Sequence, residues 1–189
     1  VEDIDKKTIF AVIGMVSYRK AQDIFIEAVR SLTQDERKRA EFWIIGATNE
    51  AEYYKEIRTQ ANMHSEIKLM DAMPRSELER VSKQIDVLVC PSRSDPMPIV
   101  VTEFMRDGKT CIVSDMVGTS SYLKDEVSGL ICKTEDVQSL TEKMRWVFNH
   151  SNQLEKIGQN ARKLYEENFK MEVFENNLLQ ILKKDIYKE

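Results

Sequence analysis

Short apolar runs recur along the chain and are separated by longer stretches of mixed polarity. Six of these runs predict β-strands: residues 8–13, 41–45, 67–70, 87–90, 110–113 and 129–132. Runs that are apolar throughout, rather than alternating, are typical of strands buried on both faces of a sheet. Several stop where the chain has to turn, at Gly14, Gly46 or Pro91. The pattern therefore predicts a parallel sheet of about six strands.

Helical periodicity fills the stretches between and after these runs. The segments that predict helices are residues 23–32, 51–62, 76–83, 99–106, 137–148, 151–165 and 171–187. Ser76 and Glu79 have the spacing of a capping box, and Ser151 is a candidate N-cap. Because strands and helices alternate, the fold class is α/β: a doubly wound, Rossmann-like parallel sheet with helices on both faces. The C-terminal helices would cover the edge of the sheet or reach a neighbouring domain.

Length and charge narrow the functional classes. With 189 residues the chain has the size of one domain, and its apolar fraction of 42% excludes intrinsic disorder. The 28 Lys and Arg residues nearly balance the 32 Asp and Glu residues, so the chain has no basic footprint for nucleic acid. No apolar run is long enough to cross a membrane. The first residue is Val1 rather than Met, which we interpret as the start of a piece of a longer protein or of a processed chain.

Three cysteines, Cys90, Cys111 and Cys132, each lie in or beside an apolar run. No C-x-x-C pair occurs, and neither His64 nor His150 is close to a cysteine in the sequence, so we expect no metal site. The pattern favours three buried thiols, which suit a reducing cytoplasm.

The loop after the first predicted strand is one candidate site. In open parallel sheets, ligands bind at the carboxyl ends of the strands, near the point where the strand order reverses. This loop contains Gly14, and its two cations, Arg19 and Lys20, come just before a predicted helix. Cations beside a helix N-terminus can hold a phosphate group, although no G-x-G-x-x-G or Walker sequence is present. The alternative is a solvated basic pair on a loop.

The loop after the fourth predicted strand leads to two carboxylates. Asp95 lies in the loop itself, which Pro96 and Pro98 stiffen, and Glu103 follows in the next predicted helix. A carboxylate has two acceptor oxygens and suits a pair of sugar hydroxyls. The alternative for Glu103 is a place on the solvated face of its helix.

These positions belong to a longer pattern. Its members occur in the order Pro91, Ser92, Asp95, Glu103, Phe104, Met105, Gly108 and the apolar run 110–113. The stretch resembles the signature of group 1 glycosyltransferases with the GT-B fold. Gly14 and residues 19–23 resemble the first loop of that family, usually Gly…Lys-Gly-x-Asp, and residues 125–130 resemble a later motif. The resemblance covers nearly the whole chain.

The resemblance implies a domain and an activity. Residues 1–189 would form a single donor-binding domain, the C-terminal half of a GT-B enzyme, with the N-terminal acceptor domain absent from this sequence. The enzyme would transfer a sugar from a nucleotide-diphosphate donor, expected to be a UDP-sugar, with retention of configuration and without a metal ion or cofactor. The acceptor would be a saccharide or a lipid-linked glycan of polysaccharide biosynthesis. The enzyme would be cytoplasmic, attached to the membrane through the missing half, and this chain alone would be inactive.

The roles of family residues carry over to individual positions. Lys20, with Arg19, would neutralise the donor diphosphate, and Gly14 begins the loop that holds them. Asp95 would lie beside the transferred sugar, so the resemblance implies Asp95 and Lys20 as catalytic residues. Glu103 would bind the ribose hydroxyls. The remaining implied contacts are those of Ala72 and Met73 with the base, and of Met97, Pro98 and Ile99 with sugar and phosphate.

Other functions stay open because several positions depart from the family pattern. Met15, Asp95, Pro98 and Ser121 stand where the family usually has Arg, Glu, Gly and Glu. A non-catalytic, glycosyltransferase-like subunit that binds a nucleotide sugar is therefore an alternative. A nucleotide-sugar epimerase would need an acid or base such as histidine, and neither His64 nor His150 has a suitable place in the sequence. A structural scaffold would not need Lys20, Asp95 and Glu103 together.

Overall fold

The computed structural model describes residues 7–186 of the chain. Its strands are β1 (Thr8–Ile13), β2 (Ala40–Ile45), β3 (Ile67–Met70), β4 (Val87–Cys90), β5 (Thr110–Ser114) and β6 (Leu130–Cys132). Its α-helices are α1 (Gln22–Ser31), α2 (Gln34–Lys38), α3 (Ala51–Ala61), α4 (Arg75–Ser82), α5 (Ile99–Arg106), α6 (Val137–Asn149), α7 (Leu154–Asn168) and α8 (Met171–Ile186). Short 3-10 turns lie at Tyr18–Lys20, Gly118–Tyr122 and Ser151–Gln153.

The strands form one parallel sheet in the order β3-β2-β1-β4-β5-β6. Phe10 of β1 lies beside Phe42 of β2 on one side and beside Val87 of β4 on the other. From β1 the chain winds outward to β3, then returns to the centre at β4 and winds outward in the other direction. This arrangement confirms the predicted doubly wound, Rossmann-like α/β fold, with its switch point between β1 and β4.

Helices cover both faces of the sheet, which explains why its strands are apolar throughout. Phe10 and Val12 of β1 belong to a core shared with α1, α3 and α6, whereas Ala11 belongs to a second core shared with α5 and α7. In the first core the rings of Phe10 and Phe42 stack with their centroids 5.6 Å apart. Complete burial of one such side chain contributes about 1.5–3 kcal/mol. The two cores therefore fix the helices, and with them the loops at the strand ends.

The predicted capping box of α4 is wrong. α4 begins at Arg75, with Pro74 as its N-cap, so Ser76 lies inside the first turn. Glu79 pairs instead with Arg75, with 3.1 Å between Oε1 and Nε. A proline is well tolerated at a helix start because the missing N–H would have no partner within the helix. The proline therefore decides where this helix begins.

The predicted start of α7 is also wrong, and the short helix α2 was not predicted. Ser151 opens a 3-10 turn, and α7 begins at Leu154. At the start of α2, Thr33 and Glu36 form a capping box, in which each side chain accepts a hydrogen bond from the other residue's backbone N–H. The polar five-residue helix α2 buries none of its residues, so it leaves no hydrophobic periodicity to find.

The three cysteines are buried thiols, as expected, on the neighbouring strands β4, β5 and β6. Burial raises the pKa of Cys132 to about 12, and it raises the pKa values of Cys90 and Cys111 as well. These thiols therefore stay protonated near neutral pH and act as small apolar side chains.

The C-terminal helices differ in how they pack. α6 contacts α1 and α7 contacts α5, so both become part of the helix layers. On α8, large apolar side chains remain exposed: Met171, Leu178, Leu179, Ile181 and Leu182. The predicted end of this helix, Tyr187, lies outside the described residues. Among residues 7–186, no helix combines the length and apolar character needed to cross a membrane.

Candidate functional site

The switch point of the sheet forms a crevice at the carboxyl ends of β1 and β4. One wall is the loop between β1 and α1, and the other is the loop between β4 and α5. These are the two loops that carry Arg19, Lys20 and Asp95. Because β1 and β4 are adjacent in the sheet although far apart in sequence, the fold brings these side chains to one place.

Glycines allow the loops around the crevice to approach one another. Gly14 has a φ of +142°, a conformation that side-chain-bearing residues rarely adopt, and a Cβ there would lie 3.9 Å from the Cε of Lys20. A Cβ at Gly46, in the loop after β2, would lie 1.9 Å from the carbonyl oxygen of Gly14. Both positions therefore need glycine, and their close approach supports the loop that carries Lys20.

Lys20 and Asp95 form an ion pair across the crevice. The Lys20 Nζ donates a hydrogen bond to Asp95 Oδ2, and only 16% of the Lys20 side chain and 8% of the Asp95 side chain are exposed. Arg19 Nη1 lies 3.7 Å from the same oxygen and donates to the carbonyl of Ser94 at 3.0 Å. Two cations thus face one carboxylate, which leaves a net positive charge where a phosphate could bind.

The loop after β5 holds the backbone of Asp95 in place. The Asp95 N–H donates to the carbonyl of Met116 at 3.3 Å, and the Asp95 carbonyl accepts from the N–H of Gly118 at 2.8 Å. A Cβ at Gly118 would lie 1.7 Å from the carbonyl oxygen of Pro96. The glycine therefore permits a backbone contact that fixes Asp95 on both sides.

Several backbone amides of the β1–α1 loop bond within the protein, so an anion at this loop would depend mainly on the side-chain cations. The N–H of Val16 donates to Ala47, that of Ser17 to Gln22 Oε1, and that of Tyr18 to Glu50 Oε2. In the first turn of α1, the N–H of Asp23 donates to the hydroxyl of Tyr53. The helix N-terminus that the sequence suggested as a phosphate site is thus partly occupied by the protein's own groups.

Glu103 lies on α5 and lines a groove of about 860 Å³ between α4 and α5. Its Oε1 accepts a hydrogen bond from Arg75 Nη2 at 3.0 Å, across the groove. Glu103 is half-buried, with 31% of its side chain exposed, so it is not simply on the solvated face of its helix. Arg75 was not among the residues predicted from the sequence. The only feature that could have indicated it is that it is a cation soon after the third predicted strand.

A smaller cavity of about 220 Å³ lies between the loops after β1, β2 and β3. It is lined by apolar side chains and glycines: Ile13, Gly14, Met15, Ile45, Gly46, Ala47, Ala72, Met73 and Leu78. Met73 also lines the larger groove, so the two cavities adjoin, and Lys20 lies over Gly14 at the edge of the smaller one. The place suggested for the base is therefore an apolar recess between Lys20 and Glu103.

The start of α5 lies at the edge of the crevice. Pro98 is the N-cap of α5, and its carbonyl accepts a hydrogen bond from the N–H of Val101 at 3.0 Å. Met97 and Ile99 on either side of it are exposed. Because Pro98 has no N–H, any amide that this turn offers to a ligand must come from a neighbouring residue.

The two histidines lie outside the crevice. His64 is near the amino end of β3, with its Nδ1 4.0 Å from Glu66 Oε1, and His150 stacks on Trp146 between α6 and α7. Within the described part of the chain, no group of three or more His, Cys, Asp or Glu side chains is placed to hold a metal ion. The crevice therefore offers cations, carboxylates and an apolar recess.

Comparison with protein families identifies the class to which this fold and crevice belong. Residues 1–164 match the family described as Glycosyl transferases group 1. The chain therefore belongs to the group 1 glycosyltransferases, which confirms the resemblance drawn from its motifs.

Individual proteins of known name or structure are similar over much of this chain. The UDP-Gal:alpha-D-GlcNAc-diphosphoundecaprenol alpha-1,3-galactosyltransferase of Escherichia coli is 24% identical over 131 residues, covering 69% of this chain and 34% of that enzyme. HepE of Anabaena, crystallised with UDP-glucose, has a TM-score of 0.82 at 17% identity, covering 94% of this chain and 49% of HepE. The C-terminal domain of the group 1 family protein LpcC of Francisella tularensis has a TM-score of 0.78 at 19% identity, covering 89% of both chains.

At these identities the two solved structures establish the shared fold alone. The fold of this chain is thus that of a GT-B glycosyltransferase domain. The chain spans less than half the length of the curated relatives that it matches.

Proposed function

We propose that this chain is the donor-binding domain of a glycosyltransferase that takes its sugar from a nucleotide-diphosphate donor. The observation that carries this proposal is the convergence of Arg19, Lys20 and Asp95 at the switch point of the sheet. Ligands of open α/β sheets bind at this point. The net positive charge there suits a diphosphate.

Each part of the crevice suits one part of such a donor. Lys20 and Arg19 would neutralise the diphosphate, and each charged contact would contribute about 1.5–3 kcal/mol. The apolar recess beside Met73 would hold the base, and the carboxylate of Glu103 would accept hydrogen bonds from the ribose hydroxyls. Asp95, fixed between two loops, would lie beside the transferred sugar. The cations would then stabilise the charge that develops on the leaving diphosphate.

We propose a UDP-sugar as the donor and a saccharide or lipid-linked glycan as the acceptor. The crystallised complex of HepE contains UDP-glucose, and the name of the E. coli relative specifies UDP-Gal and a diphosphoundecaprenol acceptor. Transfer with retention of configuration, and without a metal ion, is part of the same proposal. It rests on the family membership of the chain and on the cationic character of the crevice.

We further propose that the active enzyme is built from two domains, with this chain as the C-terminal one. Exposed apolar side chains support this organisation. They lie on α8, as described above, and around the crevice at Met15, Met97, Ile99 and Met116. A second domain that faced the crevice would cover such residues and position the acceptor. The three buried thiols suit a cytoplasmic enzyme, with membrane attachment through the other domain.

A second candidate is a subunit that binds the nucleotide sugar without catalysis. The observation that favours it is Pro98, the N-cap of α5, which removes one backbone donor from the turn that would face sugar and phosphate. The shorter carboxylate at Asp95 points in the same direction. Such a subunit would bind the donor and never turn it over, even with its second domain present.

The role of Glu103 gives a sharp test of the donor site. In the Glu103→Gln variant we expect the affinity for UDP to fall about tenfold, because a charged hydrogen bond to ribose is lost. The affinity for inorganic pyrophosphate, which has no ribose, should not change. Calorimetric titration of wild type and variant with both ligands measures the difference. Glu79→Gln is the matched control, since Glu79 is the other partner of Arg75 and does not face ribose in this proposal.

Equal losses for UDP and pyrophosphate in Glu103→Gln would contradict the ribose assignment. Unchanged binding of both ligands would place Glu103 outside the site. Titrating the wild type with UDP, GDP and ADP in the same way identifies the base, with UDP expected to bind most tightly.

A further inference from the structure

Arg93 is the most heavily engaged side chain near the crevice. It lies in the β4–α5 loop, and its guanidinium uses four of its five N–H donors. Nη1 donates to the Tyr18 carbonyl at 2.6 Å and to Asp23 Oδ1 at 3.0 Å, Nη2 to Asp23 Oδ2 at 2.7 Å, and Nε to Glu135 Oε1 at 2.8 Å. The guanidinium also stacks on the ring of Tyr18, 3.8 Å from its centroid.

The backbone of Arg93 joins the same two loops. Its N–H donates to the carbonyl of Arg19 at 2.8 Å, and Arg19 Nη1 in turn donates to the carbonyl of Ser94 at 3.0 Å. Lys20 follows Arg19 directly, and Asp95 follows Ser94 directly. The hydrogen bonds of Arg93 with Arg19, and of Arg19 with Ser94, therefore set the distance between the loop that carries Lys20 and the loop that carries Asp95.

Several partners reinforce this arrangement on the side of α1. The hydroxyl of Tyr53 donates to Asp23 Oδ1 at 2.8 Å, so the carboxylate that receives Arg93 is held from both sides. Burial opposes ionisation of Asp23, but the hydrogen bonds from Arg93 and Tyr53 prevail and lower its pKa. Asp23 therefore stays charged near neutral pH and keeps the bidentate pair intact.

The positive charge of Arg93 is neutralised by carboxylates of the protein itself. Two carboxylates, Asp23 and Glu135, face its single positive charge, and its side chain is only 13% exposed. A phosphate near Lys20 would thus gain little from the field of Arg93. The contribution of this residue to the crevice has to be geometric.

We propose that Arg93 is a positioning residue that holds Lys20 and Asp95 in the relative geometry needed for the donor. The hydrogen bonds described above establish how the two loops are held together. That this arrangement serves donor binding rests on the proposed function. Three partners on the side of the β1–α1 loop, Tyr18, Asp23 and Arg19, must release Arg93 before the loops can move apart, and Glu135 holds the guanidinium from the loop before α6.

Two variants of Arg93 distinguish a positioning role from a direct effect of its positive charge. Arg93→Lys keeps the positive charge but replaces the planar fork by a compact ammonium group, which cannot form the bidentate pair with Asp23 while also reaching Glu135 and Tyr18. Arg93→Met removes the charge as well. Arg145 provides matched controls, Arg145→Lys and Arg145→Met, because it too bonds a carboxylate and a carbonyl, those of Glu36 and Ser31, but lies on α6 away from the crevice.

The readout combines UDP affinity with methionine methyl NMR spectra, at a temperature where all variants are folded. Met15 lies in the loop that carries Lys20, Met97 lies in the loop that carries Asp95, and Met63 follows α3 and serves as a reference. Both Arg93 variants should shift or broaden the methyl signals of Met15 and Met97, leave that of Met63 unchanged, and weaken UDP binding at least tenfold. The Arg145 variants should leave the three signals and the affinity as in wild type.

Full UDP affinity in Arg93→Lys would overturn the proposal, because charge alone would then suffice. Unchanged signals of Met15 and Met97 in that variant would overturn it as well. Should Arg93→Met fail to fold, Arg93→Lys decides by the same two criteria. If the wild type bound no UDP, the proposed function would fail, whereas the methyl spectra would still decide whether Arg93 positions the loops.

Discussion

Ala21 occupies a backbone conformation that favours glycine. Its φ of +58° and ψ of +43° place it in the left-handed region, between the 3-10 turn of Lys20 and the start of α1. The family pattern usually has glycine after the loop lysine, and the structure gives the physical reason for that preference. A residue with a Cβ costs about 1–2 kcal/mol in this conformation. This chain bears that cost next to its candidate phosphate-binding lysine.

The strain at Ala21 can be measured by comparing two glycine substitutions. Ala21 and Ala28 are both fully buried, so each change to glycine loses the same methyl group and adds the same freedom to the unfolded chain. Only Ala21→Gly also relieves strain. We expect it to leave the free energy of unfolding within about 0.5 kcal/mol of wild type, whereas Ala28→Gly should lower it by about 1–2 kcal/mol. Urea unfolding measures both values, and equal losses would mean that Ala21 is unstrained.

At the scale of elements, the sequence predicted most strands and helices because their signals are local. A continuous apolar run such as residues 87–90 needs no partner to be recognised as a buried strand. Helix ends were harder to predict, because several residues in a row can act as the cap. α4 begins after Pro74 rather than after Ser76, and α7 begins only after the 3-10 turn that follows His150. The short helix α2 is held by its capping box and by ion pairs of Glu36 with Arg145 and of Arg37 with Glu66, and it leaves no periodic signal.

The ion pair that ties α1 to the β4–α5 loop gives a prediction about pH. Because the folded-state pKa of Asp23 is lowered below its ordinary value of 3.8, the stabilisation is present above that value and is lost as the pH falls through the lowered pKa. At pH 7, Asp23→Asn should reduce the free energy of unfolding by about 1.5–3 kcal/mol. The difference from wild type should shrink steadily below about pH 4.

Denaturant unfolding of wild type and Asp23→Asn between pH 7 and pH 2.5 checks this dependence. Asp35→Asn is a suitable control, because Asp35 is an exposed carboxylate on α2, 3.5 Å from Lys38, and an exposed pair contributes little. A difference for Asp23→Asn that stayed constant down to the lowest pH would show that its carboxylate charge does not stabilise the fold.

At the scale of the whole molecule, the site depends on contacts between distant parts of the sequence. Lys20 and Asp95 are 75 residues apart, and Arg93 and Asp23 are 70 residues apart. The general rule for open sheets was enough to predict that the loops after the first and fourth strands are the candidate ones. It could not predict that Arg93 joins them, or that Gly46 and Gly118 allow the loops to touch, because such contacts have no local signal.

The proposed two-domain enzyme predicts a difference between binding and transfer. The 189-residue chain should bind a UDP-sugar without transferring it, because no acceptor would be held against the donor. Positioning of that kind can supply about 7–11 kcal/mol of the barrier reduction. A transfer assay of this chain beside the proposed two-domain enzyme, with donor hydrolysis followed separately, measures the difference. Acceptor-dependent turnover by the chain alone at the rate of the two-domain enzyme would contradict the two-domain account.

The central claim is that the crevice between β1 and β4 binds the diphosphate of the donor through Lys20. Calorimetric titration of wild type, Lys20→Ala and the control Lys55→Ala with UDP tests it most directly, since Lys55 is an exposed lysine on α3. We expect Lys55→Ala to bind like wild type and Lys20→Ala to bind about ten- to a hundredfold more weakly, in line with the loss of one charged hydrogen bond. Equal UDP affinities in wild type and Lys20→Ala, or no binding of UDP to any of the three proteins, would contradict the account.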